Sequence, residues 1–571
     1  MQLSILLLWL ATFYGVFYCR CILCATYLGK QHWYEEAEKT LRRKLGPRSE
    51  MGRARNLVLI VGDGLSLTTL TAARILKGQR LGQPGEDTLL AWEAFPALAL
   101  AKTYNLDAQV GESSACATAL LCGVKANFET VGLDGGGRFE DCFSSYNSRV
   151  ESLLSWAQQE GKSTGIVTNT RVTHATPAAL FAHSPSRYWE DDSKVPANAR
   201  KSCKDIARQL IEDEPGKHVN VLLGGGRRHW MPKMMKDVEQ ANEEGRRLDG
   251  RNLIEEWVRD KKRKGSHAEY VYTRAQLHRI NPVSTQNLLG LFAYSHMDFE
   301  ADRDTGPDGD PSLAEMTIAA LSILQKNTRG FFLFVEGGRI DHAHHYNNPY
   351  RALDETLALE AALLAVLSLV DQTETLIVVT SDHSHVMTMG GLSTPRGNSI
   401  LGTDRKASDV DGLPYTTLLY GNGPGYAIPR LIPSNVANVT AKSDKNTVHG
   451  SAAPRHWSTH GGEDVPVYAS GPLASHLFTA TIDQSFIPHA MAYSACIGPY
   501  KQRCQQANFS FAIPNCIEDP RRERTRQRGA GAGVVLASSV MSDDTTPSCT
   551  HITLSNFCTI SMVYILWFAV T

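Results

Sequence analysis

The chain carries several short apolar runs, each of roughly four to eight residues and each followed by glycine or polar residues. Runs of this length that are rich in Val, Ile and Leu predict strands buried on both faces of a sheet. Longer stretches with helical spacing lie between them, among them PSLAEMTIAALSILQKN and YRALDETLALEAALLAVLSLV. Strands that alternate with helices predict a doubly wound α/β fold, with a mostly parallel central sheet and helices on both faces. The strand runs are NLVLIVGDG (56–64), STGIVTNTRVTHATP (163–177), VNVLLGGGRR (219–228), FFLFVEGGRID (331–341) and TLIVVTSDHSH (375–385).

Acidic and histidine side chains follow four of these strands, at the point where each strand ends. Because the carboxyl ends of parallel strands lie along one edge of a sheet, side chains far apart in sequence meet there. One acid after a strand is usually a turn or a helix cap, but this chain repeats the pattern and adds histidines in DHAHH and DHSHV. Crowded carboxylates repel one another unless a cation lies between them, and Asp, Glu and His are ligands of Zn²⁺ and Mg²⁺. The pattern predicts a multi-metal site built on Asp63, His174, Thr176, Glu336, Asp341, Asp382 and His383.

Two serines, Ser113 and Ser114, lie in the segment QVGESSACATALLCGVKANF. This segment comes close to the G-x-S-x-G elbow that presents the nucleophile in α/β-hydrolases. Small residues around a serine pair are equally typical of a tightly packed helix start. The segment by itself leaves both interpretations open.

The two ends of the chain differ in composition from the rest. Residues 1–25 form an apolar run that ends in small residues, which is typical of a secretory signal peptide, with an N-terminal membrane anchor as the alternative. The apolar tail at 559–571 is too short to span a bilayer as a helix. Because it follows a polar, small-residue segment, it is typical of a GPI-attachment signal, with the attachment residue between Ser542 and Cys549. Both ends predict the secretory pathway.

The segment before the C-terminal tail predicts a stalk, and the overall charge bears on the kind of partner expected. Residues 506–548 form a polar stalk and 549–571 the signal tail, and the stalk contains the Arg-rich stretch PRRERTRQRGAGAGVV. This stretch is typical of a solvated, disordered stalk, with a basic surface for anionic lipid or glycan as the alternative. The net charge of -1 provides no overall basic field, so nucleic acid is not expected as a partner.

The chain contains 12 cysteines, which agrees with an oxidising compartment. Cys496 and Cys504 are close enough in sequence for a local disulfide, and Cys142 and Cys203 could bridge at longer range. The sequence does not determine the connectivity. Possible glycosylation triplets begin at Asn438 and Asn508.

With these residues assembled, the chain resembles the animal alkaline phosphatases from about Trp33 to Cys504. The resemblance implies a catalytic domain over 26–505, with a small inserted crown-like region at about 391–455. It also implies a homodimer, because HWYEEAEKTLRRKL matches an N-terminal helix that embraces the partner subunit in that family; an amphipathic surface helix is the alternative. The blocks that carry the resemblance are GDG, TAARILKGQ, LCGVKAN, TRVTHATPA, LLGGGRR, RLDGRNL, FVEGGRIDHAHH, SDHSHV, LYGNGPGY and THGGEDV.

The resemblance implies two zinc ions and one magnesium ion per chain. The ligands it implies are Asp341, His345 and His460 for the first zinc, Asp63, Asp382 and His383 for the second, and Asp63, Thr176 and Glu336 for magnesium. It further implies Ser113 rather than Ser114 as nucleophile, Arg187 as the clamp on phosphate, His174 near a magnesium-bound water, and His342 in the pocket.

The implied reaction is the hydrolysis of small phosphate monoesters at the extracellular face of the plasma membrane, by a GPI-anchored enzyme. Zinc lowers the pKa of a coordinated hydroxyl, so Ser113 needs no histidine base. The serine attacks phosphorus in line, and water then hydrolyses the phosphoserine. The products are an alcohol and inorganic phosphate.

The chain departs from the family pattern at three places. Glu112 precedes the nucleophile where the family has Asp, and Ser114-Ala115-Cys116 follows it where the family usually has Ala-Gly-Thr or similar. The outlying calcium site of the animal enzymes is only partly retained. Phe292 and Asp310 match it, but Ala293 stands where an acid is expected, so Ca²⁺ is not assigned.

Three other functions remain open at this level. A serine esterase would need a histidine and an acid arranged as a triad, with no metal. A metal-dependent phosphodiesterase or a sulfatase would share the architecture, but the former commonly uses Thr and the latter a modified Cys or Ser. A catalytically weak surface protein would use the scaffold for binding, an idea that Glu112 and Cys116 keep open.

Overall fold

The computed structural model describes residues 29–45, 52–430 and 444–507. The predicted signal peptide, the signal tail, the GPI attachment region and almost all of the stalk lie outside these ranges. So do the glycosylation candidates Asn438 and Asn508. Within the described ranges, no helix combines the length and the apolar character needed to cross a membrane.

The strands that were read from the sequence belong to one large central sheet. The strands in chain order are β1 (Asn56–Gly62), β2 (Ala97–Lys102), β3 (Ser163–Arg171), β4 (Val221–Gly225), β5 (Ala268–Val271), β6 (Asn287–Leu291), β7 (Phe331–Gly337), β8 (Thr375–Ser381), β9 (Ser384–His385), β10 (Met387–Met389), β11 (Leu418–Gly423), β12 (Ser451–Pro454), β13 (His460–Gly461), β14 (Val465–Ser470) and β15 (Ala480–Asp483). The central sheet has 10 strands in the order β15-β2-β14-β8-β1-β7-β3-β4-β6-β5. Every pairing in it is parallel except those of β14, which runs antiparallel to both β2 and β8. The predicted α/β fold with a mostly parallel sheet is confirmed.

Helices cover the sheet on both sides. They are α1 (Lys30–Leu45), α2 (Leu67–Arg80), α3 (Ser113–Cys122), α4 (Leu153–Gln159), α5 (Ala175–Ala178), α6 (Ile206–Glu212), α7 (Leu253–Arg263), α8 (Arg274–His278), α9 (Leu313–Leu324), α10 (Arg339–His345), α11 (Pro349–Leu369), α12 (Ala474–Leu477), α13 (Phe486–Ala495) and α14 (Gln502–Ala507). The sequence sets their starts: the Ser312 side chain caps α9 together with Glu315, and Asn348 caps α11 ahead of Pro349. Such caps satisfy backbone N–H groups that have no partner within the helix.

The two faces of the sheet bury separate hydrophobic cores. In β1, Leu57 and Leu59 belong to one core, whereas Val58 and Ile60 belong to the other. Successive side chains of a strand point to opposite faces, so a strand buried on both faces must be apolar at every position. This explains why NLVLIVG shows no alternation of polar and apolar residues.

Two smaller sheets lie beside the central one. β10, β11 and β12 form a three-stranded sheet, and β13 pairs antiparallel with β9, so that His460 lies opposite His385. β11 and β12 fall within 391–455, the region expected to be a crown-like insertion. That boundary, like the division of the termini, stays a prediction.

Two disulfides and the packing of the N-terminal helix add to the contacts within the domain. The structure joins Cys142 to Cys203 and Cys496 to Cys504 as disulfides. Helix α1 buries Trp33, Ala37 and Leu41, spaced four residues apart, in the core that also contains residues of α13. The helix is therefore held by its own chain, and its expected contact with a partner subunit stays a prediction.

Candidate active site

The candidate site residues lie at the carboxyl edge of four adjacent strands. β8, β1, β7 and β3 are consecutive neighbours in the central sheet. Asp382 and His383 follow β8, Asp63 follows β1, and Glu336 lies at the end of β7. α10 follows β7 and supplies Asp341, His342 and His345, while His174 lies in the turn after β3 and Thr176 in α5. Strand order thus brings together residues that are hundreds of positions apart in sequence.

Asp341 is the centre of one group of candidate metal ligands. Its oxygens lie 3.1 Å from His345 Nε2, 3.2 Å from His385 Nε2 and 3.5 Å from His460 Nε2. The Asp341 and His385 side chains are buried, and His345 and His460 are partly buried. Asp341 and His345 are four residues apart on α10 and so share one face of that helix.

The hydrogen bonds of the Nδ1 atoms of His345 and His460 show which ring nitrogens are free to bind a cation. His345 Nδ1 lies 2.6 Å from Ser458 O, and His460 Nδ1 lies 2.8 Å from Gly111 O. A carbonyl only accepts, so Nδ1 carries the proton and Nε2 of the neutral ring keeps its lone pair. Burial lowers the pKa of His460 to about 4, which keeps that ring neutral, whereas the Asp341 charge outweighs burial at His345 and raises the pKa of that ring. Lone pairs that face a carboxylate repel it unless a cation lies between them.

A second group surrounds His383 and includes a serine. His383 Nε2 lies 3.3 Å from Asp63 Oδ1, 3.4 Å from Asp382 Oδ2 and 3.3 Å from Ser113 Oγ. Neither oxygen of Asp63 has a hydrogen-bond partner, and Asp382 Oδ2 has none either, although these side chains are fully buried. Buried carboxylate oxygens without donors are costly, so the chemistry of this group fits a bound cation.

A third group joins Asp63 to Glu336 and His174 on the β3 side of the site. One ligand atom from each of these three buried residues lies within 4.8 Å of the others. The hydroxyls of Thr168 and Thr170 donate to Glu336 Oε2, at 2.5 Å and 3.1 Å, and leave Glu336 Oε1 without a partner. Thr176 is fully buried two residues after His174. Asp63 therefore takes part in both the second and the third group.

The carboxylates of the site do not keep their ordinary acidity. Burial and the neighbouring Asp382 and Asp341 charges raise the pKa of Asp63 well above its ordinary value. Burial also raises the pKa of Asp382 to about 6 and that of Glu336 to about 7. The carboxylates of the three groups fit divalent cations, which would neutralise these charges and occupy the partnerless oxygens.

The two serines of the ESS segment have different environments. Ser113 is the first residue of α3, and its Oγ faces His383. The Ser114 hydroxyl instead donates to Glu112 Oε1 at 2.5 Å. Glu112 is the N-cap of α3 and also accepts from the backbone N–H groups of Ser114 and Ala115. The geometry therefore leaves Ser113 open toward the candidate metal groups and ties Ser114 to the helix cap.

Arg187 completes the site on the side of Glu112. Its Nη1 donates to Glu112 Oε2 at 2.7 Å, and its Nη2 lies 3.3 Å from His174 Nε2. The longer Glu112 side chain thus does reach the arginine that the resemblance assigns to phosphate. The Arg187 side chain is 18% exposed, so it keeps some contact with solvent.

His385 is a member of the Asp341 group that the sequence reasoning did not assign. Its side chain is fully buried and neither ring nitrogen has a hydrogen-bond partner. The signal was present in SDHSHV, because His383 and His385 are two residues apart on an extended segment and project to the same side.

His296 was also missed, and it lies against two of the assigned histidines. The ring centroids of His296 and His342 are 4.3 Å apart, and those of His296 and His174 are 5.2 Å apart. A lone histidine in the loop after β6 gives no signal in the sequence. Its place follows only from how that loop crosses the sheet edge.

The cluster of His174, His296 and His342 does not fit a metal, although its nitrogens lie close together. Each ring is contacted at one nitrogen by an arginine: Arg187 at His174, Arg171 at His296 and Arg339 at His342. A guanidinium only donates, so each contacted nitrogen is an acceptor and the neutral ring carries its proton on the other one. The rings therefore present N–H groups in a positively charged surrounding.

The residues of the partly retained calcium site show no assembled ligand set. Burial raises the pKa of Asp310 to about 7. Among the described residues, no group of three or more closely spaced acids, histidines or cysteines includes Asp310.

Comparisons with known proteins agree in sequence and in fold. The family model described as alkaline phosphatase matches residues 54–497. The tissue-nonspecific alkaline phosphatase of Gallus gallus is 48% identical over 482 residues, which are 84% of this chain and 91% of that protein. The tissue-nonspecific isozyme of Homo sapiens is 44% identical over 85% of this chain and 92% of its own length. The membrane-bound alkaline phosphatase of Bombyx mori is 42% identical over 83% of this chain and 87% of its own length.

Solved structures show the same architecture. The alkaline phosphatase of Thermus thermophilus superposes with a TM-score of 0.55 and 26% identity, over 78% of this chain and 93% of that chain. The cold-active alkaline phosphatase of a Shewanella species gives a TM-score of 0.52 over 77% of this chain and 99% of that chain. At 24% identity, this second likeness concerns the fold alone.

We expect the charge of Glu112, the N-cap of α3, to stabilise the fold by an amount that depends on pH. Burial alone would raise the pKa of Glu112, but Arg187 and the donors on Ser114 and Ala115 hold it below the ordinary value. Because the pKa of Glu112 is lower in the folded chain than in the unfolded chain, its ionised carboxylate stabilises the fold above about pH 4.5. This stabilisation is lost as the pH falls through the folded-state pKa. We expect Glu112→Gln to lower the free energy of unfolding by about 3 kcal/mol at pH 7, because it breaks a buried charge pair.

Urea unfolding of chelator-treated protein at pH 7, 5 and 4 measures this effect at constant metal content. The difference between the wild type and Glu112→Gln should begin to narrow below about pH 4.5, and Glu140→Gln, at an exposed glutamate, should match the wild type throughout. A difference that stays constant with pH would mean that the carboxylate charge of Glu112 does not stabilise the fold.

Proposed function

The chain belongs to the alkaline phosphatase family and is a metal-dependent phosphomonoesterase, and we propose that Ser113 is its nucleophile. The observation that carries this proposal is the position of Ser113 Oγ, 3.3 Å from His383 Nε2, beside carboxylate oxygens that have no partner. The second serine is engaged by Glu112 and has no comparable access. The reaction would pass through a phosphoserine and yield an alcohol and inorganic phosphate.

The donor sets support two zinc ions and one magnesium ion. Asp341, His345 and His460 combine imidazole with carboxylate, as do Asp63, Asp382 and His383, and such mixed sets suit Zn²⁺. Asp63, Glu336 and Thr176 offer only oxygen, which suits Mg²⁺. When bound, these ions would lower the pKa of a hydroxyl and neutralise the charge that develops on phosphate oxygens.

The chain's own residues prepare Ser113 for attack. Ser113 is the first residue of α3, and the positive end of the helix dipole favours negative charge at this point. The N-cap contacts of Glu112 and the Ser114 hydroxyl fix the backbone that carries the nucleophile. A phosphate bound at the N-terminus of α3 would thus contact Ser113 on a backbone that is held in place by hydrogen bonds.

Arg187 would hold the phosphate, and Glu112 would hold Arg187. Guanidinium N–H groups can donate in parallel to two phosphate oxygens, which a lysine ammonium cannot do. Only Nη1 of Arg187 is engaged by Glu112, which leaves N–H groups for substrate. His174 touches Nη2 and limits the rotation of the guanidinium plane.

A serine esterase triad has no support in this geometry. His383 is the ring next to Ser113, but its Nδ1 lies 3.1 Å from the carbonyl of Ser384 rather than against a carboxylate. A triad histidine needs an acid at that nitrogen to stabilise its protonated form. Burial also lowers the pKa of His383, which disfavours a role as proton acceptor.

We further propose that the mature enzyme is a GPI-anchored homodimer on the extracellular face of the plasma membrane. The apolar ends of the sequence support the anchor and the secretory route, and a relative of similar length is named a membrane-bound alkaline phosphatase. The proposed organisation is a signal peptide over 1–25, a catalytic domain over 26–505 with the insertion at about 391–455, a stalk over 506–548, and a signal tail over 549–571.

The serine assignment predicts different outcomes for two neighbouring substitutions. Ser113→Ala should abolish the phosphoenzyme and lower kcat by roughly a thousandfold or more, because the nucleophile is lost. Ser114→Ala removes only a contact to the cap, so kcat should stay within roughly tenfold of the wild type. Acid quenching with a ³²P-labelled monoester, followed by peptide mapping, measures the phosphoenzyme. Label on Ser114, or equal losses in both variants, would contradict the assignment.

The metal assignment predicts selective losses from two ligand substitutions. His460→Ala should lower the zinc content, whereas Thr176→Ala should mainly lower magnesium, because the two side chains belong to different groups. His456→Ala is the matched control, since this histidine is exposed and lies four residues before His460. Elemental analysis of purified protein should give two zinc and one magnesium per chain. A chelated preparation that keeps full activity would refute the metal mechanism.

The anchor predicts release of activity by phosphatidylinositol-specific phospholipase C. Cells that express the full chain should lose surface phosphatase activity to the medium after this treatment. Deletion of 559–571 should yield a secreted active enzyme, because the attachment signal is gone. Activity that resists the lipase but is released by high salt would instead indicate attachment through the Arg-rich stretch.

A further inference from the structure

A cavity of about 620 Å³ lies beside α7 and shares no residue with the candidate active site. This volume is within the range of pockets that bind small molecules in proteins. Much of the lining is apolar and comes from α7, from the loop after β4 and from β5. The apolar lining residues are Met231, Met235, Val238, Ile254, Val258 and Tyr270.

Part of this apolar lining is left in contact with solvent. Val238 is 55% exposed and Met235 is 37% exposed, while Met231 and Ile254 form buried portions of the same wall. Covering such side chains with an apolar ligand removes them from water at no cost in buried polar groups. Methionine side chains also adapt their shape to different apolar partners.

Three cations of α7 line the same cavity. Arg259, Lys262 and Arg263 are spaced three and four residues apart, so they share one side of the helix. Among the described residues, no hydrogen bond or ion pair engages the side-chain nitrogens of these three residues. Their neighbours do have partners: Lys261 Nζ donates to Lys217 O at 2.6 Å, and Lys264 Nζ donates to Asp260 at 2.7 Å.

The other charged groups of the cavity are arranged differently. Arg227 lines it too, but its guanidinium is already held by Asp237 and Glu239. Glu255 and Asn252 lie at the N-terminal end of α7, so an acidic group there would be repelled by Glu255. Free positive charge is therefore concentrated at the C-terminal end of α7, next to apolar walls.

We propose that this cavity binds an anionic amphiphile, with its acidic head group on Arg259, Lys262 and Arg263 and its apolar chain along the Met, Ile and Val side chains. Basic residues near a helix C-terminus also complement the helix dipole. That role does not explain the exposed apolar wall beside them. A single molecule with an anionic head and an aliphatic chain satisfies both halves of the cavity.

Isothermal titration of the full-length holoenzyme with two probes of equal chain length tests the head group. Dodecanoate and dodecyltrimethylammonium, both below their micelle concentrations, carry opposite charges on the same aliphatic chain. Dodecanoate should bind at one site per chain, and octanoate should bind more weakly because less apolar surface is buried. The cationic probe should show no comparable binding. Equal binding of both probes, or of neither, would overturn the proposal.

Variants of the holoenzyme locate the site. Arg259→Glu should weaken dodecanoate binding roughly tenfold or more, because it replaces an attraction by a repulsion. Val258→Trp should block binding by filling the cavity, whereas Lys201→Glu reverses an exposed charge that does not line it and should change nothing. Phosphatase activity should be the same in all three. Binding that survives both α7 variants would place the amphiphile elsewhere, and conversion of a dimer to a monomer by Val258→Trp would assign the cavity to a second copy of the chain.

Discussion

The repulsion among buried carboxylates is the constraint on which the rest of this structure depends. Asp63, Asp382, Glu336 and Asp341 lie at one sheet edge without enough donors to satisfy them. Burial raises the pKa of three of them, which shows how unfavourable the charged forms are without a counter-ion. A site of this kind is stable in its charged form only with cations bound, so the metal dependence of the enzyme follows from electrostatics that the fold itself imposes.

The sheet is what makes such crowding possible. Strands β8, β1, β7 and β3 are neighbours, both faces of β1 are packed, and the backbone cannot relax to separate the acids. Carbonyl groups then orient the histidines: Ser458 O and Gly111 O fix the rings of His345 and His460 with their lone pairs toward Asp341. Ligands supplied by strand ends and held by backbone carbonyls keep their positions better than ligands on free loops.

A second set of contacts links Ser113, the proposed nucleophile, to Arg187, the proposed phosphate clamp. Glu112 caps α3, accepts from Arg187, and also accepts from the backbone N–H of Glu129. The carbonyl of Glu129 in turn accepts from the backbone N–H of Arg187, which closes a ring of three residues. Glu129 holds a φ of 59°, a backbone conformation that a non-glycine residue adopts only at some cost. The surrounding hydrogen bonds hold it there, and so couple the position of Ser113 to that of Arg187.

The sequence by itself determined the fold class and most of the candidate metal ligands, because apolar runs of strand length followed by Asp, Glu or His are local patterns. Asp63, Glu336, Asp382 and His383 could be assigned to one edge in this way, and the family resemblance added His460. Only the tertiary structure decided the place of His296, which comes from a loop without any local signal, and the contact between Glu112 and the backbone N–H of Glu129. It alone also showed that Ser113 rather than Ser114 faces His383, since the two serines are the first two residues of the same apolar helix and differ only in which way α3 turns them. Side-chain direction and the pairing of distant loops depend on packing across the whole sheet, which no short stretch of sequence contains.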